Sequence, residues 1–298
     1  MKIAYLFLVH QNPRLLKRAI EILSTADSGF FVHLDRKTDT AEFSGIGGEN
    51  VFFSAERIPV YWGEFSQVEA TLLLMRQALA NSAKYERLVF LQGSDYPLRS
   101  GRYVREFMEK NQEAEFISLV RMPAPGYPLS KINKVRYPSS QPFRHFASKF
   151  LARLGLFRRD YKEYFGRLEA YSGQACWALS EEASRYILDF SDRNPAIARY
   201  FEDSFTADEM FFHTILGNST FRSRIRRNLV YLDWPAGADH PNPLGEKDLR
   251  IFEASENVWV EDEWGRGEVL FARKFSDAGL NLVDRLDQII RRKDKLTQ

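Results

Sequence analysis

Asp95 stands as the lone carboxylate in Gly93-Ser94-Asp95-Tyr96-Pro97, and far downstream Arg273 and Lys274 lie side by side between Phe271 and Phe275. One carboxylate is a poor magnesium or manganese site, because hard cations take several oxygen ligands. If an anionic group leaves during a reaction, neutralising it then falls to positive side chains, and Arg273-Lys274 is a candidate pair. Flanked by phenylalanines, the pair would be semi-buried, where a cation acts more strongly than in water. The alternative is two surface charges ending a strand. Asp95 could hydrogen-bond ligand hydroxyls or cap the turn beside Pro97. Asp208 and Glu209 form a third group, at the start of a helix expected over residues 208–216, where the dipole favours the charged form of a carboxylate.

Several chemistries are excluded by what is missing. There is no G-x-x-x-x-G-K-[ST] loop and no G-x-G-x-x-G after the first apolar run, which argues against kinases and common dinucleotide enzymes. Histidines 10, 33, 145, 213 and 240 make no H-E-x-x-H pattern, and Cys176 is the only cysteine. Neither a metal site built from protein alone nor an intrachain disulfide is expected, and the cytosol is the expected compartment. With 42 basic and 40 acidic residues, the formal charge of +2 offers no global field for nucleic acid. Arg222, Arg224, Arg226 and Arg227, and Arg291, Arg292, Lys293 and Lys295, read as solvated faces or as peripheral contacts to an anionic membrane. No stretch approaches the about 20 apolar residues of a membrane helix.

The elements that must position these groups alternate from the first residue. Residues 3–9 are apolar on both faces, as a strand needs when helices cover both sides of a parallel sheet. Asn12-Pro13 reads as cap and first position of a helix carrying Leu15, Leu16, Ala19, Ile20 and Leu23. Strands are expected at 30–34, 51–53, 87–91 and 116–119, with a helix capped by Ser66 between them. Further on, the pattern predicts a strand over 174–179, helices over 181–190 and 208–216, a strand over 229–233 and a helix over 280–292. The fold class is therefore α/β, a Rossmann-like, doubly wound, mostly parallel sheet flanked by helices, with ligands beyond the carboxyl ends of the strands. One domain, 1–298, is expected, with a nucleotide-binding half to residue 120 and an acceptor-binding and catalytic half from 121. Over residues 122–166 prolines break the pattern, and Lys131, Lys134, Arg136, Tyr137, Arg144, His145 and Lys149 could contact an acceptor or a diphosphate.

Five blocks together carry a family resemblance: Val32-His33-Leu34-Asp35-Arg36-Lys37; Tyr61-Trp62-Gly63 with Ser66 and Glu69-Ala70; Leu91-Gln92-Gly93-Ser94-Asp95-Tyr96-Pro97-Leu98; Ala207-Asp208-Glu209-Met210-Phe211-Phe212-His213-Thr214; and Phe271-Ala272-Arg273-Lys274-Phe275. In order and covering residues 2–276, they resemble the core-2/I-branching N-acetylglucosaminyltransferase and peptide O-xylosyltransferase family. The resemblance implies a GT-A fold, inversion at the anomeric carbon, a UDP-sugar donor, a saccharide acceptor and no metal cofactor. It implies that Asp35 contacts uridine, with Val9 and His10 where the first strand passes the nucleotide. Glu209 matches the general base of the branching enzymes, and Arg273 and Lys274 match the cations that stabilise the diphosphate.

Departures sharpen the reading. Ala175, in Ser172-Gly173-Gln174-Ala175-Cys176-Trp177, occupies the place of the xylosyltransferase aspartate base, which favours Glu209. His240 or its neighbours fall where the branching enzymes carry an upstream arginine, so Arg273 is the substitute. Secretory members carry an anchor and many cysteines, and this chain looks like a bacterial cytoplasmic relative. Arg36, Tyr61, Trp62 and Asp95 complete the expected donor site, with the two aromatics able to stack on uracil or sugar or simply to fill the core. Arg136, Tyr137, Trp177 and Trp234 are the expected acceptor contacts. The expected activity is transfer of N-acetylglucosamine or xylose in surface-polysaccharide assembly. Rival readings are a catalytically silent carbohydrate-binding relative and a sugar nucleotidyltransferase, the latter opposed by the absence of a glycine-rich loop after the first strand.

Overall fold

Ile3–Val9 forms β1 and is buried along its whole length, Tyr5, Phe7 and Val9 packing on one face and Ala4, Leu6 and Leu8 on the other. Leu6, Phe7, Leu8 and Val9 each contribute about 1.5–3 kcal/mol when withdrawn from water. That two-sided burial places β1 inside the sheet. In this computed structural model, which describes residues 1–137, 143, 146, 159–235 and 240–296, the strands are β1, β2 (Ser28–Leu34), β3 (Val51–Phe53), β4 (Arg87–Gln92), β5 (Asp95–Pro97), β6 (Glu115–Phe116), β7 (Val120–Arg121), β8 (Tyr171–Ser172), β9 (Trp177–Ser180), β10 (Ile225–Arg226), β11 (Val230–Leu232), β12 (Trp259–Asp262), β13 (Gly265–Glu268) and β14 (Phe271–Arg273).

Seven strands make the central sheet in the order β10-β6-β9-β4-β1-β2-β3. Pairs β1/β2, β1/β4, β2/β3 and β6/β10 are parallel, and only β9 runs antiparallel to its neighbours. Helices Pro13–Leu23 and Leu280–Leu296 pack into the core on one face, and Ser66–Ala80 and Glu181–Arg193 into the core on the other. This is the doubly wound, mostly parallel α/β sheet expected of a GT-A chain. Because β9 sits between β4 and β6, the segments before and after residue 120 share one sheet.

The helix caps differ from expectation. Asn12 is in the left-handed region at φ 61° and makes no side-chain cap; its amide donates to the Gly93 carbonyl and its side-chain oxygen accepts from the Asp277 amide. Asp277 instead caps the Pro13–Leu23 helix, accepting from the amides of Arg14 and Leu15. The Ser66 hydroxyl likewise accepts from the Tyr61 amide rather than capping its own helix. These side-chain oxygens serve tertiary contacts that local propensity does not reveal. The strand expected over 116–119 is reduced to the two residues of β6, and the expected strand-end loop at 93–97 contains β5.

Residues 95–97 matter because β5 pairs with β14 in a second, three-stranded sheet ordered β11-β14-β5. Its antiparallel register sets Asp95 opposite Arg273. The lone carboxylate and the distant cation thereby become neighbours.

Candidate active site

A cleft of about 590 Å³ opens beyond the carboxyl ends of β1, β2 and β4. Of the expected site residues, Val9, His10, Asp35, Trp62, Glu209, Trp234, Arg273 and Lys274 line it, as do Ala175 and His240. Parallel strands deliver Val9, His10 and Asp35 to one rim, and β14 delivers the cationic pair to the same cavity. Arg36, Tyr61, Asp95, Arg136, Tyr137 and Trp177 do not line it. The acceptor candidates Arg144, His145 and Lys149 lie outside the described residues.

Asp95 holds a cation instead of reaching a ligand. Only 2% exposed, its carboxylate accepts from the Gln92 amide at 2.7 Å and the Cys176 thiol at 3.2 Å, and its other oxygen faces the Arg273 guanidinium at 3.5 Å. The expected contact between Asp95 and sugar hydroxyls is therefore corrected: both oxygens face inward. Burial works against the Arg273 charge, but Asp95, Cys176 and Asp208 together outweigh it and raise the guanidinium's pKa. Burial and then the neighbouring Arg273 push the Lys274 ammonium down. Cys176, expected as a small apolar filler, is buried as foreseen but also donates to Asp95.

Glu209 is placed by a backbone turn. The helix expected over 208–216 begins only at Phe211, and Ala207–Glu209 is a separate 3₁₀ turn. Thr206 before it is left-handed at φ 53°, a conformation costly for a β-branched residue, and its amide donates to the Gly63 carbonyl at 2.7 Å. Gly63 is itself at φ 70°, and a Cβ there would stand 2.4 Å from the Phe205 ring. Only glycine fits both demands, which explains Gly63 beside Trp62. Gln67 ties the region together by accepting from the Gly63 amide at 2.7 Å and donating to the Asp208 carboxylate at 3.2 Å. Gly173 completes the clamp, its amide donating to the Glu209 carbonyl at 2.9 Å.

The electrostatics of Glu209 reverse the expectation from the helix dipole. Its side chain is 29% exposed and 3.8 Å from the Lys131 ammonium. Burial, followed by the adjacent Asp208 charge, pushes its carboxyl above the usual glutamate range, while Lys131 and then Arg273 pull it back down. Burial raises Asp208 as well. A half-buried carboxyl with a raised pKa is a stronger base when ionised, and it stands in a cleft that also presents two cations.

At the opposite end, burial disfavours the Asp35 charge, but the Lys37 ammonium and backbone amide outweigh it and hold the carboxyl below its usual range. Lys37 donates to Asp35 at 2.6 Å, also contacts the Val60 carbonyl, and rests 4.3 Å over the Tyr61 ring. It lines the cleft where Arg36 was expected, and Tyr61 backs it from behind. The spacing of two from Asp35 was the available signal. Gln67 and Asn228 were also overlooked, and as buried amides they carry no sequence signature. Asn228 donates to the Gln174 side chain at 2.6 Å and so steadies the cleft wall.

Trp62 is 61% exposed, meeting Phe205 and His240 edge-on, so the alternative of a core aromatic pair does not hold for it. Trp177, by contrast, is a core residue, 2% exposed and stacked on Phe90. Its expected acceptor contact is corrected, because at the start of β9 it is packed into the core between Phe90 and Phe212. Arg136 lies behind the rim, 3.7 Å over the Phe205 ring.

A family model for the core-2/I-branching enzymes matches residues 3–256. The chain is 23% identical to a human beta-1,3-galactosyl-O-glycosyl-glycoprotein beta-1,6-N-acetylglucosaminyltransferase, over 98% of this chain and 70% of the relative. A mouse N-acetyllactosaminide beta-1,6-N-acetylglucosaminyl-transferase is 24% identical over 72% and 52% of the two chains. Human xylosyltransferase 2 is 23% identical over 78% and 27%, so the chain spans about half or less of these last two relatives. Among solved structures, a glucose-1-phosphate thymidylyltransferase from Bacillus anthracis is similar at 12% identity and a TM-score of 0.30, covering 65% of this chain and 78% of that one. That likeness is too slight to bear on function.

Proposed function

The chain belongs to the core-2/I-branching enzyme family of glycosyltransferases, and we propose that it is an inverting, metal-independent transferase that moves N-acetylglucosamine or xylose from UDP to a glycan hydroxyl. The observation that carries this reading is one cleft holding a raised-pKa carboxyl, Glu209, and the adjacent cations Arg273 and Lys274. In the step, the acceptor oxygen attacks the anomeric carbon from the face opposite UDP. Its proton passes to the Glu209 carboxylate, the bond from the anomeric carbon to the β-phosphate oxygen breaks, and UDP leaves with the electron pair. Arg273 and Lys274 stabilise the charge that develops on the diphosphate. Asp35 accepts from uridine once Lys37 yields one of its contacts.

Support for metal independence is that Asp95, the lone carboxylate of its strand-end segment, is turned inward onto Arg273, while Arg273 and Lys274 line the cleft and offer positive charge to a leaving diphosphate. The names of the relatives support the choice of donor sugars. A single buried cysteine, which cannot close an intrachain disulfide, fits a reducing compartment, and a role in surface-polysaccharide assembly is part of the same proposal. UDP release from UDP-N-acetylglucosamine and UDP-xylose, with other UDP-, GDP-, CDP- and dTDP-sugars alongside, tests the reading. Turnover of one of the first two is expected to persist in excess EDTA. Loss that manganese restores would overturn the metal-free part, and turnover confined to non-UDP donors would overturn the donor.

The electrostatics of Glu209 also predict a pH response. Only the ionised carboxylate can accept a proton, so kcat/KM should rise with pH through an inflection above the usual glutamate range of about 4.3. The Asp208 charge raises that inflection and the Lys131 charge lowers it. Asp208→Asn should therefore move the acid limb to lower pH, and Lys131→Met should move it higher. A limb unmoved by both substitutions would detach the profile from Glu209.

A further inference from the structure

The near-neutral total of this chain hides a strong polarity. Residues 116–159 contain nine of its 42 basic residues and none of its 40 acidic ones, so the remainder is net acidic. Mixed surfaces intersperse both signs, and a run of 44 residues without an acid is a departure in a chain that is 28% charged. Two described residues of this run stand close to residues that line the cleft. Lys131 reaches to 3.8 Å from Glu209, the proposed base. Five residues on, Arg136 stacks on Phe205, whose ring meets the exposed cleft residue Trp62 at 5.1 Å. Lys134 lies between them in sequence. Lys131 thus stands beside the reacting end of the cleft, and Arg136 stands behind its aromatic rim.

We infer that the glycan acceptor is anionic, carrying a carboxylate or phosphate that Lys131, Lys134 and Arg136 attract as the acceptor hydroxyl approaches Glu209. The inference rests on the transferase reading above and adds the charge class of its second substrate. Attraction by partly solvated lysine and arginine raises the capture of a charged ligand and weakens with salt, since the screening length falls from about 10 Å at 0.1 M to about 3 Å at 1 M. A neutral acceptor would gain nothing from it.

The test uses two matched pairs: a hyaluronan tetrasaccharide against its methyl ester, and N-acetylglucosamine 1-phosphate against N-acetylglucosamine. Binding is read by calorimetry without donor, so the result does not depend on turnover. The charged member of at least one pair is expected to bind about tenfold tighter at low salt, with the gap closing in 1 M sodium chloride. The pair that responds separates carboxylate from phosphate recognition. Lys134→Glu combined with Arg136→Gln should erase the preference while leaving UDP binding intact. No preference in either pair, or a preference that survives salt and the double substitution, overturns the inference. Failure of the transferase reading would look different, as absence of UDP release from every UDP-sugar whatever the acceptor binding.

Discussion

Glu209→Gln should lower transfer by about 10²–10⁴-fold, the range that a positioned general base contributes, while UDP affinity stays unchanged. The amide keeps the shape of the side chain, and Glu209 is held by its backbone through Thr206 and Gly173, so the cleft should be preserved. What is lost is only the capacity to take the acceptor proton. Strong residual turnover would move the base elsewhere, with Asp208 the first alternative in the same cleft. The substitution should also stabilise the protein at neutral pH. Burial raises the carboxyl's pKa in the folded state, so folding favours the protonated form. Any stability from Glu209 is thus complete below its unfolded pKa and is lost as pH rises through the folded value. Glutamine carries no such loss, and its gain in Tm over the parent should grow from pH 4 to pH 8. A gain independent of pH would assign the effect to packing.

Arg273→Met is expected to damage both activity and fold. Removing one preorganised donor to a developing charge costs about 10²–10³-fold in kcat. It also strands Asp95, whose carboxylate is fully buried and has one oxygen without a hydrogen-bond partner even when Arg273 is present. Breaking a buried pair by removing one member destabilises by about 3–5 kcal/mol. Adding Asp95→Asn removes the orphaned charge, so the double variant should recover most of the lost stability in denaturant unfolding without recovering transfer. That separation is the decisive outcome. If the double variant regains turnover as well, Arg273 serves the fold alone and Lys274 carries the diphosphate.

The parts of this site legible in the sequence are those that a strand carries to its own end. Val9, His10 and Asp35 follow apolar runs, and parallel strands buried on both faces leave their polar ends at one edge of the sheet. Trp177 was misplaced because it begins β9 and packs into the core against Phe90, whereas its neighbours Ala175 and Cys176, just before the strand, line the cleft. Arg36 gave way to Lys37 for a similar reason, since the turn after β2 directs only one of the two at Asp35. The charge state expected for Glu209 failed because it assumed a helix start, whereas left-handed Thr206 and its bond to Gly63 make a 3₁₀ turn there instead.

By itself, then, the sequence determined the α/β class, the family and the residue types able to do the chemistry, because hydrophobic periodicity and motif order are local and survive any arrangement of the rest. Only the tertiary structure decided that Asp95 grips Arg273, that Asp277 caps a helix near the other end of the chain and that Asp208 burdens Glu209 within a half-buried cleft. Those outcomes depend on desolvation and on charges a few ångströms apart. Neither is defined until the chain has closed on itself.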